Sequence, residues 1–364
     1  MKKNFILLSI VAVLAILVTY SCSSDDKEYE EIPNLESPVV LDLTQVPYAT
    51  LSTYKFFEGE MKNQEPSLGV LPYEPISSLF TDYALKKRFV WMPKNTKATY
   101  TADGAVLDFP TGSVLIKNFY YDNVQPGNTR RIIETRLLIK KATGWIFAEY
   151  VWNAEQTEAT LQMEGSFTPV SWIDEAGITQ SVNYRVPSEV ECLICHKSLQ
   201  SAIPIGPKPQ NLNSTFAFKD GSKNQLSKWI EMGYLDAAIP STIETVVNYK
   251  DVSKPLDLRV RSYVDINCAH CHQQNSHCDY RPMRFAFSES SNPINMGICV
   301  TPDENVNDIM TYIVTPNNTE RSVLHFRMNT TDEALRMPIV GRSVIHKEGV
   351  ELMEQWIQTL TPCN

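Results

Sequence analysis

Two pentapeptides constrain this chain more than anything else in it: Cys192-Leu193-Ile194-Cys195-His196 and Cys268-Ala269-His270-Cys271-His272 share the spacing C-x-x-C-H. On a helix that spacing sends both thiols and the imidazole out of one face. Thiols so placed can add across the vinyl groups of a porphyrin while the histidine reaches iron from the same side. The expectation is two covalent haem c groups, one on Cys192, Cys195 and His196 and one on Cys268, Cys271 and His272. A zinc site drawn from both cysteine pairs fits the spacing but gives no role to a histidine after each pair. A thioredoxin-type pair needs a surrounding βαβ pattern that is not visible in the sequence.

The remaining iron positions follow from order along the chain. Met337, in Arg336-Met337-Pro338, lies after His272 and before a closing helix, an order similar to class I cytochrome c, and is the expected distal ligand of the second haem. Met232 is the choice for the first haem, with Met163, Met328, His277, His325 and an open site as alternatives. Gly206-Pro207 resembles the turn of small c-type cytochromes whose proline carbonyl orients the proximal histidine, which gives Pro207 that part beside His196. His270 and His346 read as surface residues.

The amino terminus reads as an export signal. Lys2 and Lys3 precede an apolar run from Phe5 to Val18, too short for a comfortable span, and Val18-Thr19-Tyr20-Ser21-Cys22 resembles a bacterial lipobox. Thr19 and Tyr20 depart from its commonest form. Cys22 is then the lipidated residue, residues 1–22 the signal peptide and residues 23–38 a flexible acidic tether. The destination is the cell envelope, as an outer-membrane lipoprotein facing the periplasm or the cell surface. A net charge of −9 without a Lys/Arg cluster argues against nucleic acid as a partner.

Outside the cytoplasm each remaining thiol needs an assignment. Cys278 and Cys299 flank a stretch expected to form a hairpin around residues 284–287, and their bridge would contribute about 3 kcal/mol in the chain-entropy model. Pairing of either one with Cys363 is left open.

The fold expected is α+β and multidomain. Residues 39–186 form a β-rich, sandwich-like domain: β-branched and aromatic runs at residues 106–109, 113–121, 131–140, 145–152 and 159–163 are separated by turn signals such as Asp103-Gly104 and Pro126-Gly127-Asn128. A mainly α-helical dihaem region follows, split into a first haem region over residues 187–255 and a cytochrome c-like domain over 256–364. Ser188 and Glu191 have the spacing of a capping box ahead of the first motif. Helices are expected over residues 224–232, 256–266 and 347–360, the last carrying Met353, Trp356, Ile357 and Leu360 as its buried stripe.

Beyond the motifs, the sequence resembles a family of bacterial dihaem c-type cytochromes of unassigned role. The residues carrying the resemblance include Leu79-Phe80-Thr81-Asp82-Tyr83-Ala84, Arg88-Phe89-Val90-Trp91, Ile133-Glu134-Thr135-Arg136-Leu137-Leu138, Tyr150-Val151-Trp152-Asn153 and Gly297-Ile298-Cys299. The resemblance implies two haems in the carboxy-terminal half, a structural disulfide at Cys299 and ligation by Met337. The function expected is electron transfer with redox partner proteins, at a membrane reached through the lipid anchor. The alternatives are a dihaem peroxidase-like enzyme with one open iron, and a surface binding module with a redox tail.

Overall fold

The computed structural model describes residues 36–363; the leader, Cys22 and all but the end of the tether lie outside the described residues. A 3-10 turn at Leu51–Tyr54 precedes the sheet. Eight strands then follow: β1 (Leu71–Tyr73), β2 (Leu85–Trp91), β3 (Val114–Val124), β4 (Thr129–Lys141), β5 (Gly144–Trp152), β6 (Ala159–Leu161), β7 (Ser166–Ile173) and β8 (Thr179–Val186). Hydrogen bonds join all eight into one antiparallel sheet in the order β1-β2-β3-β4-β5-β6, with the β7-β8 hairpin attached to the end of β3. The strand expected at residues 106–109 is reduced to an isolated bridge at Asp108.

Side-chain alternation along β2 to β5 separates two cores. One face presents Phe89, Trp91, Ile116, Leu137 and Ala148 to the 3-10 turn and the segment before it. The other presents Val90, Leu115, Leu138 and Phe147 to Cys192, Leu212, Leu226 and Trp229. Helices α1 (Glu189–Cys195), α2 (Pro209–Leu212) and α3 (Gln225–Glu231) therefore cover that second face. A further core gathers Val260 and Val264 of α4 (Leu256–Asn267), Leu324 of α5 (Val323–Met328) and Leu352, Met353, Trp356 and Ile357 of α6 (Lys347–Ile357).

The expectation of a mainly α-helical carboxy-terminal half is corrected by the fold. After Val186 the helices are interleaved with the hairpins β9-β10 (Lys197–Ser198, Ser201–Ala202) and β11-β12 (Thr215–Phe218, Gly221–Asn224). Residues 268–322 hold turns and isolated bridges only. The reason is local: Pro282, Pro293, Pro302 and Pro316 each remove a backbone donor and clash with a helical turn before them. The whole is a mixed α/β fold around one large sheet with scattered short helices, in place of a compact helical cytochrome bundle. Among the described residues no helix is long and apolar enough to cross a membrane.

Candidate metal centre

Helix α1 begins where its sequence requires. Ser188 accepts from the Glu191 backbone N–H at 3.4 Å, and the Glu191 carboxylate accepts from the Ser188 N–H at 2.7 Å, closing the capping box. The helix ends at Cys195, and His196 leaves it. Cys192 is buried against β5, its Sγ 2.7 Å from Oε1 of Glu149. Burial pushes the Cys192 thiol up, so it stays protonated and donates to that carboxylate.

Glu149 is itself raised to about 7, first by burial, with Arg136 opposing. A carboxyl raised above its unfolded value adds stability while protonated, fully below about 4.5, and loses it as the pH climbs through about 7. In Glu149→Gln that dependence should disappear: urea midpoints measured from pH 4.5 to 7.5 should fall less steeply with pH than in the wild type. An unchanged slope would show that Glu149 is ionised throughout that range.

The imidazole of His196 lies edge-on to Phe147, centroids 5.4 Å apart, and its Nδ1 is 2.8 Å from the Ile203 carbonyl. A carbonyl only accepts, so Nδ1 carries the proton and Nε2 is bare. Burial holds this histidine neutral, lowering it to about 4. The orienting carbonyl is that of Ile203 and not of Pro207, whose oxygen accepts from the Leu107 N–H at 3.1 Å. The hairpin β9-β10 folds residue 203 back over His196, a proximity that linear spacing does not reveal.

The second motif follows α4 in a turn, with the N–H groups of Cys271 and His272 both bonded to the Cys268 carbonyl. Its His272 packs edge-on to Phe285, and its Nδ1 is buried without a hydrogen-bond partner. Here the two motifs meet. One ligand atom each from Cys195, His270 and Cys271 lies within 4.8 Å of the other two. His270 is 8% exposed and its Nδ1 has no hydrogen-bond partner. The neighbouring Cys271 thiol, helped by His270, holds Cys195 well below the usual thiol range, while Cys271 is pushed up by the same contact.

Tetrahedral coordination with metal–sulfur bonds of about 2.3 Å places two sulfurs about 3.8 Å apart. The three ligand atoms need contract by no more than about an ångström to reach that arrangement. All three residues line a cavity of about 430 Å³ whose wall also carries Cys268, His272, Cys278, Met337 and His346.

This geometry overturns the assignment of two covalent haems. The C-x-x-C-H spacing is present twice in the sequence, but attachment needs both thiols of one motif turned to the same porphyrin. Here Cys192 is turned to Glu149 on the sheet, and Cys195 joins Cys271 of the other motif with His270 beside them. The residues present do not fit two independent attachment sites. With the haems go the iron, cytochrome and electron-transfer readings, and with them the peroxidase-like and redox-tail alternatives.

Other sequence expectations also move. The disulfide joins Cys299 to Cys363, Cα atoms 5.8 Å apart, and leaves Cys278 a free buried thiol. Met337 lies on the cavity wall with His272, whereas Met232 caps α3 and is 40% exposed. His346 is buried, stacked on Phe80 at 4.1 Å and bonded through Nδ1 to the Tyr263 hydroxyl at 3.0 Å. His270 is the functional candidate that sequence reasoning missed; its place between two motif cysteines was the one signal available.

Comparison with known proteins returns no matching family model, no matching curated protein and no matching solved structure. The resemblance to dihaem c-type cytochromes is corrected on the same grounds as the fold, and the reading of this chain rests on its own geometry.

Proposed function

We propose that Cys195, His270 and Cys271 bind a thiophilic transition-metal ion of the zinc type, in a protein carried to the cell envelope and anchored there through Cys22. The observation that carries this reading is the convergence of two thiols and an imidazole, from segments 75 residues apart, within 4.8 Å. Two sulfurs and one nitrogen suit a borderline-soft ion, and three protein ligands leave a fourth position. The cavity that these ligands line supports access of water or a small molecule to that position. Metal binding would also satisfy the orphaned buried ring of His270 and protect thiols that an oxidising compartment would otherwise pair.

The test is metal analysis and cobalt substitution of the full chain recovered from the envelope. One equivalent of metal is expected, together with a thiolate-to-cobalt charge-transfer band. Cys271→Ser and His270→Ala should weaken binding at least about a hundredfold, beyond the roughly 10–100-fold that outer partners of metal ligands are worth. A disulfide between Cys195 and Cys271 in protein prepared without reductant would overturn the reading. So would porphyrin that survives acid-acetone extraction.

A further inference from the structure

The sheet face beneath α1 carries an arrangement that the metal centre does not use. Register places Arg88 of β2 directly opposite Lys117 of β3, and Lys117 directly opposite Arg136 of β4. Three cations thus stand side by side on neighbouring strands about 4.8 Å apart. Lys86, two residues from Arg88, shares their face and lies across from Phe119. Like charges directly opposite one another destabilise a sheet, and burial adds to the cost.

The anions in these rows do not balance them. Glu134 takes Arg136 in a two-pronged pair at 2.6 and 3.0 Å, and Glu149 lies 4.0 Å from the same guanidinium. Arg88 reaches only Glu74, at 3.7 Å and half-exposed. Lys86 donates to the Ala84 carbonyl at 2.7 Å. Among the described residues Lys117 has neither an ion pair nor a hydrogen bond through its Nζ, which rests 4.9 Å from the Phe119 ring centre. Lys86 and Arg136 lie over the same ring at 5.8 and 4.3 Å, so three cations gather around one aromatic side chain. Counting the half-exposed Glu74 beside Glu134 and Glu149, four cations face three carboxylates, which leaves an excess of positive charge.

We propose that Lys86, Arg88, Lys117 and Arg136 form a binding site for a small dianionic ligand, a carboxylate or a phosphate, laid across β2 to β4 beside Phe119. The dianion supplies the missing counter-charge; Glu134 already holds the fork of Arg136, and the guanidinium of Arg88, whose ion pair with Glu74 is 3.7 Å long, offers the planar donor set for paired oxygens. Lys86 and Lys117 are only partly buried, which leaves the row reachable from solvent. Burial together with the neighbouring cations holds both lysines well below their ordinary range, the mark of ammonium groups short of counter-charge.

Thermal unfolding and calorimetric titration of the full chain test this, with phosphate, succinate and chloride at matched ionic strength. At least one of the two dianions should raise the midpoint over chloride and titrate to one site. A response to succinate alone identifies the ligand as a dicarboxylate, and a response to phosphate alone as a phosphate. Lys117→Met keeps the side-chain length, removes one of three opposed charges and relieves the repulsion. In chloride it should unfold at a higher temperature than the wild type, and it should bind the dianion at least tenfold more weakly. A residue with a merely structural role would show neither change. The proposal fails if neither dianion moves the wild-type midpoint, if Lys117→Met binds as tightly as wild type, or if that variant is less stable in chloride.

Discussion

Glu134→Ala is expected to destabilise the protein by about 3–5 kcal/mol, the range for removing one partner of a buried ion pair. Glu134 is fully buried; its carboxylate accepts two bonds from Arg136 and one from the Tyr184 hydroxyl at 2.6 Å. Taking it away leaves a guanidinium and a phenol without their acceptor inside the sheet. Glu149 does not replace it, since it already stands 4.0 Å from Arg136 and takes the Cys192 thiol. Glu134→Gln keeps an acceptor but loses the charge, so it should fall between the wild type and Glu134→Ala. Urea unfolding decides the matter: a midpoint shift with unchanged slope is the expected form, and equal losses for the two variants would show that the charge contributes nothing.

Cys363→Ser should cost a similar amount, about 4 kcal/mol in the chain-entropy model for a loop of this length. The bond spans a sequence separation of 64 and ties the end of the chain to Cys299. Its loop runs through α5 and α6 and most of the core they share. Hydrogen bonds from Asn317 to the Ile357 and Leu360 carbonyls hold the same two stretches together, so the fold should survive at reduced stability. Cys278→Ser serves as the comparison, because that thiol is free and its loss should cost about 1 kcal/mol, as for an ordinary point change. If Cys278→Ser proves the more damaging of the two under non-reducing conditions, the bridge has been assigned to the wrong cysteine.

Where the determinants were local, the sequence read well. The Ser188/Glu191 box starts α1, the apolar stripe of Met353, Trp356 and Ile357 lies buried in α6, and the long runs at residues 131–140 and 145–152 became β4 and β5. Each depends on neighbours three or four residues away, or on strict alternation. The second half holds less helix than the helical patterns near its ends suggest, because prolines punctuate the middle between them.

The site shows the opposite case. Its three candidate ligands all stand in the two motifs, yet spacing within each motif suggests two separate centres, and nothing in the linear order brings Cys195 to His270 and Cys271. His270, read as a surface residue, is buried because the second motif follows α4 in a turn that packs against the end of α1's own motif. Likewise, Arg88, Lys117 and Arg136 are ordinary strand cations in sequence and become one row only through the register of three strands.

The amino-acid sequence by itself determined the start of α1, the buried stripe of α6, the alternation of the long strands and the supply of thiols and imidazoles, since those follow from backbone preference and short-range periodicity. Only the tertiary structure decided which thiols face each other, which cysteine bridges Cys299 and which cations share a face. Such pairings join residues dozens of positions apart, and they are fixed by how the sheet, α1 and α4 bury their apolar faces rather than by any feature of the intervening chain.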